Sequence, residues 1–149
     1  MGFLNGMDIC ASGMTAQWLR MDVASENITN ADTTRTEGGG PYRRKMVVFE
    51  PTNQNASFHK YLLREKNKQQ YLYGGGVKVA EIVEDERPFE MVYDPTHPDA
   101  NEDGYVERPN VDILKETIDS MAASRAYDAS LTAFNIFKTM AGRALEIGK

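Results

Sequence analysis

The sequence predicts an α+β fold: long amphipathic helices at both chain ends, paired as a coiled-coil-like core, around a small β-rich middle domain. Three observations predict it. Met7, Met14, Met21 and Ile28 recur every seven residues near the start. Residues 111–147 contain no proline and carry apolar residues at helical spacing. Between these ends, glycine triplets and prolines punctuate short runs rich in Val and aromatic residues.

The first element is predicted over Phe3–Ala31, within an N-terminal unit of residues 1–32. Leu4, Ala11 and Trp18 fill the gaps between the heptad positions, so that one helix face becomes an apolar stripe. Leu4, Met7, Met14, Trp18, Met21 and Ile28 are its expected packing residues. Gly6 and Gly13 interrupt it, each costing about 1 kcal/mol of helix propensity relative to Ala. The helix should end between Asn27 and Asp32, where short polar side chains compete for backbone hydrogen bonds. Asn27 and Asn30 are expected to cap or turn the chain there.

The middle, residues 33–110, opens on a turn at Gly38–Pro41. Tyr42–Glu50 reads as a strand, Gln70–Tyr73 as a second, and Val77–Val83 as a β-rich run after Gly74–Gly76. Phe89–Tyr93 is a short strand candidate, and charged Phe58–Asn67 suits a loop. Four of the six prolines, at 88, 95, 98 and 109, make Asp94–Asn110 a loop or extended chain.

The last element, in a unit of residues 111–149, is a helix from Val111 to about Ile147. Ala122, Ala126, Ala129, Ala133, Ile136, Met140 and Ile147 form one stripe, widened by Tyr127, Leu131, Phe134, Ala141 and Leu145. Ile118, Ala122, Ala126, Ala129, Leu131, Phe134, Ile136 and Met140 are expected to face the first helix or neighbouring subunits. Asn110 or Asp112 suits the N-cap, with acidic residues in the first turns, and Gly148 suits the terminator.

Length then matters. A helix of about 36 residues is roughly 54 Å long, and one of about 29 residues roughly 43 Å. A globule of this size is about 40 Å across. The two helices therefore pair with each other, with the β-rich part at one end. Stripes this wide are not covered by one partner helix, which implies assembly. The alternative is a monomer whose middle folds back over both helices.

Composition excludes several functions. With 17 Lys+Arg against 22 Asp+Glu and a net charge of −5, the 149-residue chain lacks the basic footprint of a nucleic-acid binder. One cysteine, Cys10, rules out a disulfide framework and a multi-cysteine zinc site. No apolar run approaches the roughly 20 residues of a membrane span. MGFLNGMDIC lacks the basic start and apolar stretch of a secretory signal, and Gly6 stands where a myristoylation pattern needs Ser or Thr. Any exit from the cytoplasm is expected to use a route without a cleaved leader.

No enzyme constellation emerges, and no cofactor or metal is expected. Asp99–Gly104 matches the first six positions of a calcium loop, but Asn110 stands where the bidentate Glu belongs and Pro109 falls inside the loop. A turn is the better reading. His59 and His97 are the only histidines; His97, between Thr96 and Pro98, suits a structural turn. Cys10, among apolar residues, suits packing. The glycine triplets lack the Gly-Lys-Ser/Thr ending of a P-loop. Arg43, Arg44 and Lys45 form the sharpest basic cluster, expected as a solvated face or a contact for an acidic partner.

Four blocks carry a family resemblance. Asn27, Ile28, Asn30 and Ala31 resemble the motif that ends the N-terminal helix of the flagellar axial proteins, with Thr29 where the family has Ala or Ser. Tyr42, Arg43 and Arg44 resemble the family's Tyr-Arg-Arg strand start. Asp94-Pro95, His97-Pro98, Ala100-Asn101 and Gly104-Tyr105-Val106 lead to Pro109, Asn110 and Val111. The last helix has Met121, Ser124, Arg125, Tyr127 and Ala129, with Ser130 where the family has Asn. Together these narrow the resemblance to proximal rod proteins of the flagellar basal body.

The resemblance implies a structural protein rather than an enzyme. Such proteins polymerise helically into the rod, transmit torque and enclose the export channel, with the terminal helices inside and the β-rich part outside. It implies contacts with other rod subunits and further copies, the rod–ring adaptor and the type III export apparatus. It implies a periplasmic location, without membrane spans, nucleic acid or small-molecule substrate. The competing readings are another rod-type axial protein, a non-flagellar helical-hairpin secretion substrate, and a small calcium- or ligand-binding domain.

Overall fold

The computed structural model of the chain describes residues 3–52 and 75–147. The expected strand Gln70–Tyr73, the loop Phe58–Asn67, His59 and the terminator Gly148 lie outside the described residues. Two helices and four strands follow in the order α1 (Phe3–Thr29), β1 (Lys45–Pro51), β2 (Val77–Glu84), β3 (Glu90–Tyr93), β4 (Tyr105–Arg108) and α2 (Ile113–Ile147). Long helices frame a small antiparallel β region, the α+β arrangement that the patterning indicates.

The helices run antiparallel with a seven-residue period. Gly6 lies against the Phe137 ring and Gly13 against the Ser130 hydroxyl. Asn27 meets Glu116. The two helices therefore advance in opposite directions by equal multiples of seven, which keeps one seam facing the other. A Cβ on Gly6 would stand 2.9 Å from Phe137, and one on Gly13 would stand 3.3 Å from Ser130 Oγ. Both glycines thus permit close approach, which offsets their propensity cost. At the seam, Ala16, Val23, Ala24 and Ala123 are buried, Ala123 completely.

Asp112 caps α2: its Oδ1 accepts from the amides of Leu114 and Lys115 at 3.1 and 3.3 Å. Asn110, the other candidate, bonds elsewhere. At the far end of α1, Asn30 Nδ2 donates back to the Glu26 carbonyl at 2.9 Å. It adds a second bond to a carbonyl that the Asn30 amide already reaches at 3.1 Å.

Among the described residues the β region is two antiparallel two-stranded sheets. In the first, Lys45 pairs with Glu84 and Pro51 with Val77, with Ala80 as the extra residue of a bulge opposite Val48–Phe49. Its far end meets α1, where Ser12 Oγ accepts from the Val77 amide at 3.1 Å and donates to the Ile9 carbonyl at 2.7 Å. In the second, Glu90–Tyr93 pairs with Tyr105–Arg108. Asp94–Asn110, expected as loop or extended chain, holds both: its extended part is β4, which clears Pro95, Pro98 and Pro109 and pairs through Tyr105–Arg108. One correction follows. The strand expected from Tyr42 begins at Lys45, because Tyr42 is drawn out of the ladder toward α1.

Candidate functional site

The motif residues converge on one buried polar knot where the end of α1, the start of β1 and the start of α2 meet. Asn27 stands at its centre, with 0% exposure. Its amide group is fully used. Nδ2 donates to the Lys45 carbonyl at 2.9 Å and to Glu116 Oε2 at 2.8 Å. Oδ1 accepts from the Tyr42 hydroxyl and the Lys45 amide, each at 2.9 Å. Two donors and two acceptors are the whole capacity of an Asn side chain. Asn27 therefore does not cap α1, as the sequence suggested; it ties three segments together.

Arg44 extends the knot. Its Nε and Nη2 reach Glu116 Oε1, each at 2.7 Å, Nη1 lies 3.5 Å from Asp85, and Nη2 lies 3.8 Å from Asp119. Asp119 also holds Arg20 of α1 at 2.9 Å. Glu116 is 2% exposed. A carboxylate that buried keeps its charge only with partners, which Arg44 and Asn27 supply. Asn110 completes the frame: Oδ1 accepts from the Arg44 amide at 2.9 Å, while Nδ2 donates to the carbonyls of Asp85 and Arg87 at 3.1 Å.

The local field shifts two groups. Burial first, then the carboxylates of Glu26, Glu116 and Glu84, pushes the Tyr42 phenol up to about 12. The hydrogen bond from Arg87 is the main cause that brings Asp85 down to about 2, against the opposing effect of burial. The basic cluster is thereby corrected: its acidic partners belong to this chain. Arg44 pairs with Glu116 and Asp85, and Lys45 pairs with Glu26. Arg43 donates to the Asp85 carbonyl at 3.0 Å and lies 4.4 Å over the Phe89 ring.

The remaining motif positions surround the knot. Ala31 and Pro109 are buried, and Ile28, Asn30 and Val111 are half-buried. Glu116, Asp85, Asp119 and Arg20 were missed by sequence reasoning, which saw in Glu116 only an acidic residue of a first helical turn. The usable signal is Glu116's place seven residues before Ala123 and fourteen before Ser130, on the seam face.

The expected packing stripes divide. On α1, Met7, Met14, Met21 and Ile28 are half-buried, whereas Leu4 (73%) and Trp18 (56%) are exposed. On α2, Ala126 and Phe134 are half-buried. Ile118, Ala122, Ala129, Leu131, Ile136 and Met140 are exposed. The seam instead uses Glu116, Ala123, Ser130 and Phe137, so most of the predicted α2 stripe faces away from α1.

The turn between β3 and β4 accounts for the calcium-loop resemblance. Asn101 Oδ1 accepts from the amides of Asp103 and Tyr105, and Asp99 Oδ2 accepts from Thr34 Oγ1 at 2.9 Å. His97 Nδ1 accepts from the Asp99 amide at 3.1 Å, a turn role. Among the described residues no group of three or more His, Cys, Asp or Glu is placed to hold a metal ion. No described helix is long and apolar enough to cross a membrane.

Comparison with known proteins agrees with these motifs. A family model described as flagella basal body rod protein matches residues 7–35, and one described as the C-terminal part of flagellar basal body rod FlgEFG proteins matches residues 102–147. These segments contain α1 from Met7 and the whole of α2. The chain is 46% identical to the flagellar basal-body rod protein FlgC of Bacillus subtilis, across 97% of each chain. It is 42% identical to FlgC of Borreliella burgdorferi, across 99% of this chain and 98% of the relative. Identity to FlgC of Salmonella typhimurium is 37% across the whole of both chains. The chain belongs to the FlgC family of flagellar basal-body rod proteins.

Proposed function

We propose that this chain, a structural subunit of the flagellar basal-body rod, works by burying in its neighbours the helix faces it leaves open. One observation carries this reading. The helices fill their mutual seam with small residues and a polar knot, and leave Leu4, Trp18, Ile118, Ile136 and Met140 exposed on the outside. Apolar surface of that extent on a paired helix stabilises an assembly at about 25 cal/mol per Å² removed from water, less the cost of immobilising the subunit. The knot supplies the complementary property. It fixes the β region to the helix pair through buried and part-buried bonds centred on Asn27, Arg44 and Glu116, so a load applied to one is passed to the other.

In this reading the subunit occupies the proximal rod, transmits torque and helps to enclose the export channel, as the family resemblance implies. Its partners are other rod subunits and its own copies, with the rod–ring adaptor and the type III export apparatus as further contacts. Its place is the periplasmic rod. It performs no catalysis and takes no small-molecule substrate or nucleic acid, in keeping with the structural naming of its relatives. The charge-introducing substitution Ala129→Asp tests the reading. Ala129 is exposed, so the isolated chain should unfold like the parent while the variant is missing from purified basal bodies. Normal incorporation would contradict the proposal.

A further inference from the structure

The β3–β4 sheet is the least supported part of the fold. Among the described residues neither strand packs on a helix or on the β1–β2 sheet. The chain after α1 holds it: Arg108 lies 3.7 Å from Asp32, and Thr34 Oγ1 donates to Asp99 Oδ2 at 2.9 Å. Val106 is buried on one face. The other face is open. Strand alternation and register put Met91, Tyr93, Tyr105 and Glu107 on it together. Met91 and Tyr93 are 54% and 64% exposed. The two tyrosine rings are nonetheless set in place, edge to face with centroids 5.3 Å apart, and a Cβ on Gly104 would stand 3.1 Å from the Tyr93 ring. A lone two-stranded sheet is marginal in water and gains from a third strand.

The two edges of this sheet differ. The Asp94 amide donates to the Gly104 carbonyl at 3.0 Å, so every second pair along the register, Val92–Val106 and Glu90–Arg108, bonds in the same way. The amides and carbonyls of Met91 and Tyr93 on one strand, and of Tyr105 and Glu107 on the other, therefore point out of the sheet. On the β4 side Asn101 blocks the edge: its Oδ1 accepts from the Tyr105 amide at 2.8 Å, and its amide donates to the Tyr105 carbonyl at 2.9 Å. On the β3 side the backbone of Met91 and Tyr93 meets no hydrogen-bond partner among the described residues. No lysine, proline or bulge guards that strand. The charge around it is one-sided. Residues 77–108 hold ten Asp and Glu against three Lys and Arg, and each of the three cations stands beside a carboxylate of this chain. Glu86, Glu90 and Glu107 are exposed and form no ion pair among the described residues.

We propose that the open edge of β3 accepts an extended segment of another protein as a third strand, apolar where it lies beside Met91 and Tyr93 and bearing Lys or Arg near Glu90 and Glu107. Main-chain bonds to Met91 and Tyr93 give affinity, and the tyrosine face and its carboxylates select the segment. A second copy of this edge is disfavoured, because laying one β3 beside another sets like charge against like. The surface is separate from the outer helix faces, so the proposal does not depend on how those faces are covered.

The test uses the purified full-length chain and a synthetic peptide of about eight residues that alternates Val with Lys or Arg. Binding is followed by fluorescence anisotropy of the labelled peptide, and its place by amide hydrogen exchange in the protein. The peptide should bind and slow exchange of the Met91 and Tyr93 amides about tenfold. The same peptide methylated on alternate backbone nitrogens, and one with Glu for each Lys and Arg, should each bind about tenfold more weakly. Met91→Pro removes an outward amide without touching the ladder and should abolish binding; the Val92 amide, inside the ladder, reports whether the sheet survives the change. Glu90→Gln with Glu107→Gln alters only exposed side chains and should lower affinity for the basic peptide about tenfold. No binding near millimolar concentration, protection away from β3, or equal binding of the methylated peptide would overturn the edge as the site. Equal binding of the Glu peptide would overturn the basic partner. Protection of the same two amides by the protein alone, rising with its own concentration, would put a second copy on the edge and overturn the proposal. None of these results bears on the outer helix faces, whose test is the incorporation of Ala129→Asp.

Discussion

Removing the side chain of Asn27 tests how the fold is held. Asn27→Ala deletes four hydrogen bonds of 2.8–2.9 Å. Two of the partners left behind, the Tyr42 hydroxyl and the Glu116 carboxylate, belong to buried residues. A buried polar group stripped of its partner costs about 1–3 kcal/mol. The Lys45 backbone is partly accessible and can recruit water. The expected loss is therefore about 2–4 kcal/mol, a large share of the roughly 5–15 kcal/mol typical of a folded domain. In urea, with a slope of about 1–3 kcal/mol per molar, the unfolding midpoint should fall by about 1–2 M. Asn30→Ala serves as the control. Asn30 bonds the Glu26 carbonyl on an exposed surface and accepts from Thr33 Oγ1 at 3.3 Å, so its loss should stay within about 1 kcal/mol. Asn27→Asp sharpens the comparison by keeping the shape while replacing a donor with a charge facing Glu116. It should be severely destabilised at pH 7 and partly recover as acidification lets one carboxyl of the pair take a proton. A midpoint for Asn27→Ala within experimental error of the parent would refute the knot as the fold's principal tie.

Other predictions follow from the same geometry. Asp85 is held near 2 against an ordinary carboxyl near 3.8, so its contribution is complete above the unfolded value and is lost as the pH falls from about 4 toward 2; Asp85→Asn should flatten that part of the acid limb in denaturation midpoints. Tyr42 has the opposite sign: its raised value of about 12 means stability lost as the pH rises from 10 to 12, and ultraviolet titration should find one late-ionising phenol that disappears in Tyr42→Phe. Gly13→Leu places a side chain where Ser130 stands and should lower stability by about 1–3 kcal/mol through overpacking, read by thermal circular dichroism. Trp18→Lys or Met140→Lys should leave the unfolding midpoint of the isolated chain unchanged and exclude it from isolated basal bodies.

The helices were legible because a seven-residue repeat and a proline-free run are local signals with a known period. The cap at Asp112 was legible for the same reason, with Asn110 as its rival until the bonds of Asn110 to the Arg44 amide and the Asp85 carbonyl separated them. Strand β4 was not legible, since Tyr105–Arg108 is four residues between prolines and owes its state to pairing with β3. The motif residues were recognisable as a family pattern, but their physical reason was not. Asn27 reads as a helix terminator in one dimension, and only the fold brings Tyr42, Lys45 and Glu116 to its four bonding positions. Apolar periodicity could not separate the two sides of α2 either. Ala123, buried on the seam, and Ala122 and Ala129, exposed on the outer side, look alike in sequence. Gly6 and Gly13 read as weaknesses until Phe137 and Ser130 were seen against them.

In the assembled rod the helix pair should remain antiparallel inside one subunit, with its outward residues covered by neighbours. Density for the native basal body, at a resolution that places side chains, should show Gly6 against Phe137 of the same chain, Asn27 against Glu116, and Leu4, Ile136 and Met140 each in contact with an adjoining subunit. Separated helices, or these three side chains facing open solvent in the assembled rod, would contradict this arrangement.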